Sequence, residues 1–148
     1  MEVESFALDH TRVRAPYVRL AGIYPLGPST VAKYDLRLAQ PNQEALATGA
    51  LHSLEHLLAV YFRRHCDRVI DLSPMGCRTG FYLVVAEGLE LATLRQQLEA
   101  SLRDVVNHEG LVFGASEVSC GNYLDHDLVG AQSWAAKVLA QGIGLHQT

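Results

Sequence analysis

Two segments near the start of the chain have the side-chain pattern of β-strands. Residues 17–24 are rich in strand-forming side chains, and apolar and polar positions alternate over residues 31–38. Between them lie Pro25, Gly27 and Pro28, which favour a turn. We therefore predict an antiparallel hairpin with one apolar face and one charged face. The charged face would carry Lys33, Asp35 and Arg37.

Helical spacing of apolar residues dominates the next part of the chain. The longest such pattern predicts a helix from about Thr48 to His65. Its buried stripe would consist of Leu51, Leu54, Leu57, Leu58, Tyr61 and Phe62. Strand-like runs follow at residues 68–72 and 80–86, and two more amphipathic patterns predict helices at about residues 91–107 and 127–141.

The order of these elements predicts the fold class. Two strands, a helix, two strands and two further helices are typical of an α+β fold with helices packed on one face of an antiparallel sheet. A chain of 148 residues is long enough to bury a core, and we expect a single domain over residues 1–148. The first dozen residues and residues 108–119 are predicted to be irregular.

Composition and charge exclude several classes of partner. The net charge of −4 and the lack of a long basic run argue against a nucleic-acid partner. No apolar stretch approaches the roughly 20 residues that span a bilayer, so no membrane partner is expected. The N-terminal sequence lacks the pattern of a signal peptide, which predicts a cytoplasmic protein. Three cysteines, Cys66, Cys77 and Cys120, cannot all pair, and in a reducing compartment they favour ligand or reactive-thiol roles.

The longest predicted helix contains a possible metal-binding motif at residues 52–56. Residues four apart share a helix face, so His52 and His56 can hold one divalent metal between them. Glu55 lies on nearly the same face and suits the role of a proton carrier that is not itself a ligand. The order H-x-x-E-H also occurs in metallohydrolases. A chance histidine pair on a helix surface is the alternative interpretation.

Two histidines leave a metal short of ligands. Cys120, next to Gly121 in a predicted loop, is the best third candidate. His126 and the pair His65-Cys66 compete with it, although that pair is turned away from the motif's face. A set of two histidines and one cysteine with one open position is typical of a catalytic metal site. The alternative for Cys120 is a buried, inert thiol.

Cys77 has a different local setting. Glycines at positions 76 and 80 allow a tight turn, and Arg78 adds a positive charge beside the thiol. Such surroundings favour a reactive cysteine that acts as an acid, a base or a nucleophile. A purely structural cysteine is the alternative.

Long blocks of the sequence resemble the LuxS family of S-ribosylhomocysteine lyases. They include the block His52-Ser53-Leu54-Glu55-His56-Leu57-Leu58-Ala59 and the block Ser73-Pro74-Met75-Gly76-Cys77. The resemblance extends over residues 3–6, 8–10, 15–19, 34–37, 40–42, 52–59, 71–82 and 120–127. It therefore covers nearly the whole chain in order.

The resemblance implies a LuxS-type metalloenzyme fold and specific site residues. The implied metal ligands are His52, His56 and Cys120, and the implied acid–base groups are Glu55 and Cys77. Ser5, His10 and Arg37 match positions that line the substrate pocket. The implied cofactor is one Fe(II) per subunit, with Zn or Co as substitutes. The implied assembly is a homodimer with its sites at the subunit interface.

The implied reaction converts S-ribosylhomocysteine to homocysteine and 4,5-dihydroxy-2,3-pentanedione, the precursor of the quorum-sensing signal autoinducer-2, within the activated methyl cycle. Two other functions fit the motif alone. An H-x-x-E-H metallopeptidase has no use for Cys77 and usually takes a carboxylate or histidine as its third ligand. A structural metal module needs a fourth protein ligand, such as His126, and leaves Glu55 without a role.

Overall fold

The computed structural model describes residues 2–147. Its helices are α1 (Glu4–Ala7), α2 (Thr48–His65), α3 (Leu91–Val106) and α4 (Leu128–Gln141), and its strands are β1 (Tyr17–Leu26), β2 (Ser29–Arg37), β3 (Val69–Pro74), β4 (Gly80–Ala86) and β5 (Gly144–His146). The strands form one sheet in the order β3-β4-β2-β1-β5. Only β5 pairs in parallel, with β1, within the described residues. The predicted α+β class is confirmed. None of the helices described is both long and apolar enough to cross a membrane.

The main core lies between the sheet and the three long helices. Helices α2, α3 and α4 contact one another, and α2 and α3 also contact the sheet. Every residue of the stripe predicted for α2 is buried. This stripe packs with inward-facing residues of β2 and β4, among them Leu36, Phe81 and Leu83. The apolar face of α2 therefore faces the core, which leaves the motif histidines at the edge of the core.

The second face of the sheet carries charged side chains, as predicted, and most of them are buried. Asp35 and Arg37 of β2 are both buried, as is Arg19 of β1. Leu8, Val13 and Tyr17 form a small second hydrophobic cluster. The segment that precedes β1 therefore packs against the sheet. The buried charges on this face are tolerated because they form ion pairs with one another, as described below.

Two short elements were not predicted. Helix α1 falls in the stretch expected to be irregular, and β5 has three residues, too few to show a strand period. The other elements lie within a few residues of their predicted bounds, and α2 and β4 match them at both ends.

Candidate active site

Helix α2 and the loop before α4 bring four possible metal ligands together. One ligand atom from each of His52, His56, Cys120 and His126 lies within 4.8 Å of the other three. Cys120 Sγ lies 3.4 Å from His52 Nε2, 3.9 Å from His56 Nε2 and 3.8 Å from His126 Nε2. These separations are close to the N···S edge of about 3.5 Å in a tetrahedral zinc site. The three ligand residues predicted from the sequence are thus gathered in one place, together with His126.

Backbone carbonyls orient the two motif histidines. The Nδ1–H of His52 donates to the carbonyl oxygen of Asp125 (2.8 Å), and that of His56 donates to the carbonyl oxygen of Phe113 (2.7 Å). A proton on Nδ1 leaves the Nε2 lone pair free, and in both rings Nε2 faces Cys120. Ligand histidines in metalloproteins are usually held in this way. Two imidazoles and a thiol suit Zn, Fe(II) or Co(II) better than hard cations such as Mg²⁺. The donor set therefore fits a divalent transition metal.

Gly114 allows the loop between α3 and α4 to approach His56 closely. Its φ of +65° lies in the left-handed region, and a Cβ built at this position would lie 3.3 Å from His56 Nδ1. Any other residue would be strained and would crowd the ring that Phe113 holds in place. This role of Gly114 was not predicted from the sequence, because nothing local connects the glycine with α2.

The structure also places the remaining candidates for ligation. His65 Nε2 lies within hydrogen-bond distance of Asp104 Oδ2 (2.7 Å), and Cys66 is buried in the core. Neither belongs to the cluster, which agrees with the predicted orientation of this pair. Cys120 is half-buried at the cluster, so the alternative of a fully buried thiol does not apply.

Glu55 lies at a cavity that His56 of the cluster also lines. It is half-buried and lines a cavity of about 380 Å³ together with His56, Arg63 and Asp71. Within the described residues, the cluster of possible ligands does not include Glu55. Its carboxylate therefore faces a space that can hold a small molecule.

Cys77 lies at a second cavity of about 390 Å³, which is also lined by His10, Arg37 and Thr79. Its sulfur lies 3.0 Å from Thr79 Oγ1 and 4.0 Å from Arg37 Nη1. The cation that contacts this thiol is therefore Arg37. The guanidinium of Arg78, which was expected to supply the charge, donates instead to the carbonyl oxygen of Leu46 (2.8 Å).

A buried ion-pair network holds Arg37 in place. Asp35 accepts hydrogen bonds from Arg37, Arg19 and the Tyr17 hydroxyl, and Arg19 also pairs with Glu4 of α1. Burial alone would lower the pKa of Arg37, but the hydrogen bonds and charge of Asp35 outweigh it and raise that pKa. Burial and then the charge of Asp35 raise the pKa of Tyr17, so the phenol remains a neutral donor. Arg37 thus presents a fixed positive charge to the cavity.

The predicted site residues therefore fall into two groups. His10, Arg37 and Cys77 share one cavity, whereas Glu55 and His56 share the other, and the two cavities have no lining residue in common. Ser5 lies on α1 and lines neither of these two cavities. The roles of Thr79 and Asp35 were not predicted from the sequence. The only sequence signal for the buried pair was that Asp35 and Arg37, two residues apart on β2, lie on the same face.

An α+β fold that holds a histidine–cysteine centre beside a carboxylate has the arrangement of a metal-dependent enzyme. The family model described as S-Ribosylhomocysteinase (LuxS) matches residues 3–148. The chain therefore belongs to the LuxS family, as the sequence motifs predicted.

Relatives of the chain span several bacterial groups. It is similar to an S-ribosylhomocysteine lyase of Thermus thermophilus, with 62% identity over 147 residues, which cover 99% of this chain and 95% of the relative. The lyase of Deinococcus radiodurans is 51% identical over 148 residues, with coverage of 99% and 93%. That of Clostridioides difficile is 47% identical over 146 residues, with coverage of 98% and 96%. These matches do not support the metallopeptidase alternative.

Proposed function

We propose that this protein is an S-ribosylhomocysteine lyase, a metal-dependent carbon–sulfur lyase that releases homocysteine and 4,5-dihydroxy-2,3-pentanedione. The observation that carries the proposal is the cluster of His52, His56 and Cys120 beside the cavity of Glu55, in a chain of the LuxS family. The reaction first moves the sugar carbonyl along the carbon chain by enolisation and then eliminates the thiol. Each enolisation requires one proton to leave a carbon and another to arrive nearby.

His52, His56 and Cys120 are the proposed metal ligands. A divalent ion held there supplies Lewis-acid stabilisation for the negative charge that develops on sugar oxygens during enolisation. Fe(II) is the proposed native ion, with Zn or Co as substitutes. The carbonyl oxygens of Asp125 and Phe113 keep both imidazoles in the tautomer that ligation needs.

Glu55 and Cys77 are the proposed proton carriers. The Glu55 carboxylate borders the cavity next to His56, where it can take a proton from a sugar carbon and return it to a neighbouring one. Cys77 occupies a cavity with a fixed cation, Arg37, and its thiol group can exchange a proton on another side of the sugar. Glu55 is also placed to assist the final β-elimination.

His10, Arg37 and Ser5 are the proposed substrate-binding residues. The buried network around Asp35 fixes the direction of the Arg37 guanidinium, which suits recognition of substrate oxygens. The His10 ring is oriented by a hydrogen bond from Nδ1–H to the carbonyl oxygen of Leu8 (2.8 Å). Ser5 would reach the substrate from α1, which the ion pair of Glu4 with Arg19 ties to β1.

A homodimer with shared sites is part of the proposal. The Cys77 cavity and the Glu55 cavity are separate within one chain, although the reaction needs both groups at one sugar. An isologous dimer that places one protomer's Cys77 cavity against its partner's metal centre would create two complete sites. The exposed Phe6 of α1, 83% accessible, is an apolar group that such an interface would cover. The proposed compartment is the cytoplasm, where reducing conditions keep Cys77 and Cys120 as thiols.

The direct test of function is thiol release from S-ribosylhomocysteine. We expect the purified protein, loaded anaerobically with Fe(II) or aerobically with Co(II), to release homocysteine, measured with a thiol reagent. Metal removal by a chelator should abolish the release, and Co(II) should restore it. A metal-loaded protein that releases no thiol above the rate without enzyme, or that cleaves peptides instead, would overturn the proposal.

The ligand assignment makes its own prediction. Cys120→Ser should remove most of the bound metal, because a serine hydroxyl is not ionised at neutral pH and cannot replace a thiolate. Loss of a residue that hydrogen-bonds to a metal ligand costs about ten- to a hundredfold in metal affinity. We expect the loss of Cys120, a ligand itself, to cost more. Metal content by mass spectrometry, with His126→Ala as the comparison, checks the result. A Cys120→Ser protein at full occupancy beside a depleted His126→Ala protein would contradict the assignment.

A further inference from the structure

His126 completes the cluster of four possible ligands, but its hydrogen bonds differ from those of the other two histidines. In His52 and His56, Nδ1 faces a carbonyl oxygen, which can only accept. In His126, Nδ1 lies 3.0 Å from the hydroxyl oxygen of Ser53. A hydroxyl can donate as well as accept, so the position of the proton on His126 depends on Ser53.

The surroundings of Ser53 determine which way its hydroxyl points. Ser53 is fully buried in α2, and its oxygen already accepts the backbone N–H of Asp127 (2.8 Å). Among the residues described, His126 Nδ1 is the remaining hydrogen-bond partner of this oxygen. A buried hydroxyl proton nearly always has an acceptor, so the hydroxyl donates to Nδ1. Nδ1 then carries no proton, and the proton of the neutral ring is on Nε2.

We infer that His126 is a positioning residue whose Nε2–H donates to the Cys120 sulfur, rather than a further ligand of the metal. The inference rests on the proposed metal site. His126 Nε2 lies 3.8 Å from Cys120 Sγ, within reach of a long N–H···S contact. The backbone N–H of Asn122, 3.4 Å from the same sulfur, is a second donor. Two donors partly balance the charge of a thiolate, as outer hydrogen bonds do at other metal sites.

Ring geometry supports the same conclusion independently. The imidazoles of His52 and His126 are stacked, with centroids 3.9 Å apart and an angle of 23° between the rings. Two imidazoles bound through Nε2 to one tetrahedral ion diverge, and their centroids lie about 5 Å apart. The His52 and His56 centroids, 4.7 Å apart, approach this value. His52 and His126 therefore cannot both ligate one ion without a rearrangement.

The inference does not depend on the protonation state of the ring. A protonated ring would carry hydrogens on both nitrogens, so Nε2 would remain a donor. In either form its lone pair is not available to a metal.

Imidazole nitrogen NMR of the Zn(II)-loaded protein tests the inference directly and does not depend on lyase activity. Long-range proton–nitrogen correlations distinguish the tautomers, and the His126→Gln protein identifies the His126 signals by their loss. For His52 and His56 we expect a protonated Nδ1 and a zinc-bound Nε2. For His126 we expect a protonated Nε2, an unprotonated Nδ1 and no nitrogen shift caused by zinc binding. A zinc-bound Nε2 in His126 would overturn the inference.

Substitution of Ser53 tests the cause of this tautomer. Ser53→Ala removes the donor to Nδ1, so the Nδ1-protonated form of His126 should become populated and its Nε2 should compete for the metal. Ser53→Thr keeps the hydroxyl and is the matched control, expected to retain the parental pattern. An unchanged His126 pattern in Ser53→Ala would show that Ser53 does not set the tautomer.

A spectroscopic measurement tests whether His126 donates a hydrogen bond to Cys120 or has a purely structural role. In the Co(II)-loaded protein, His126→Ala should keep one metal per chain but shift the thiolate-to-cobalt charge-transfer band to lower energy, because the sulfur loses a donor. His126→Gln places an amide N–H near the position of Nε2 and should shift the band back. A parental band in His126→Ala, or metal loss as large as in His52→Ala, would contradict the inference.

Discussion

Glu55→Gln is expected to lower turnover about a hundred- to ten-thousand-fold at unchanged metal content, the usual effect of losing a positioned acid–base group. The carboxamide keeps the size and polarity of the side chain but cannot accept a proton at neutral pH. Glu55 lies outside the ligand cluster and borders the cavity beside His56, so its substitution should spare metal binding. Thiol release and metal content, measured on the same sample, check both parts of this expectation.

Glu99→Gln is the matched control for this substitution. Glu99 is likewise a half-buried helical glutamate, but it lies on α3, outside the cluster and outside both cavities. The Glu99→Gln protein should retain parental turnover. If Glu55→Gln stays within about tenfold of the parent at equal metal content, Glu55 is not the proton carrier, and residues 52–56 serve only to bind metal.

If two proton carriers act at different carbons, removing each of them should stop the reaction at a different step. A Cys77→Ala protein also keeps all the proposed ligands and should also lose turnover. If Glu55 and Cys77 serve different carbons, one variant should accumulate a ketose intermediate that the other does not. Chromatography of quenched reactions of both variants would then assign the steps.

Much of the fold could be predicted from local patterns. Helix α2 was predicted at both ends because its apolar stripe is long and continuous. Helix α4 begins one residue later than predicted, since Asp127 is its N-cap and accepts the N–H of Gly130. Strand β5 was missed because three residues carry no period, and its parallel pairing with β1 depends on contacts across almost the whole chain.

The candidate site was less predictable because its parts are distant in sequence. Cys120 lies 64 positions after His56, and only a folded loop brings them together. The sequence motifs indicated the candidate ligands, but not the carbonyl oxygens of Asp125 and Phe113 that orient His52 and His56. The sequence pattern predicted that Asp35 and Arg37 share a charged face of β2. It did not predict that this face is buried, because the burial depends on the packing of the N-terminal segment against the sheet.

The division of the site residues between two cavities changes which variants can complement each other. The sequence resemblance predicts that the N-terminal residues lie at the subunit interface. On that basis, His10 of one protomer would be expected to complete the site of its partner. The structure instead places His10 in the cavity of Cys77, whereas Glu55 lies in the other cavity. In a shared-site dimer, one complete site therefore needs the Cys77 cavity of one protomer and the Glu55 cavity of its partner. Variants complement each other only if they damage different cavities.

Mixing inactive Cys77→Ala protein with inactive Glu55→Gln protein should therefore restore activity. A mixed dimer has one site with both defects and one with neither. Random exchange of equal amounts makes about half of the dimers mixed, so the mixture should reach about a quarter of parental turnover. Each variant alone should stay about a hundredfold or more below the parent. Thiol release after subunit exchange, with native mass spectrometry to count mixed dimers, measures the recovery.

The pair Cys77→Ala and His10→Ala is the control, because both residues line the same cavity. Each site of its mixed dimer carries one defect, so exchange should restore nothing. Recovery in the first mixture and none in the second would require that the two cavities of one site come from different protomers. Mixed dimers of Cys77→Ala and Glu55→Gln that remain inactive would mean that each chain completes its own site, and the proposed shared-site dimer would be wrong.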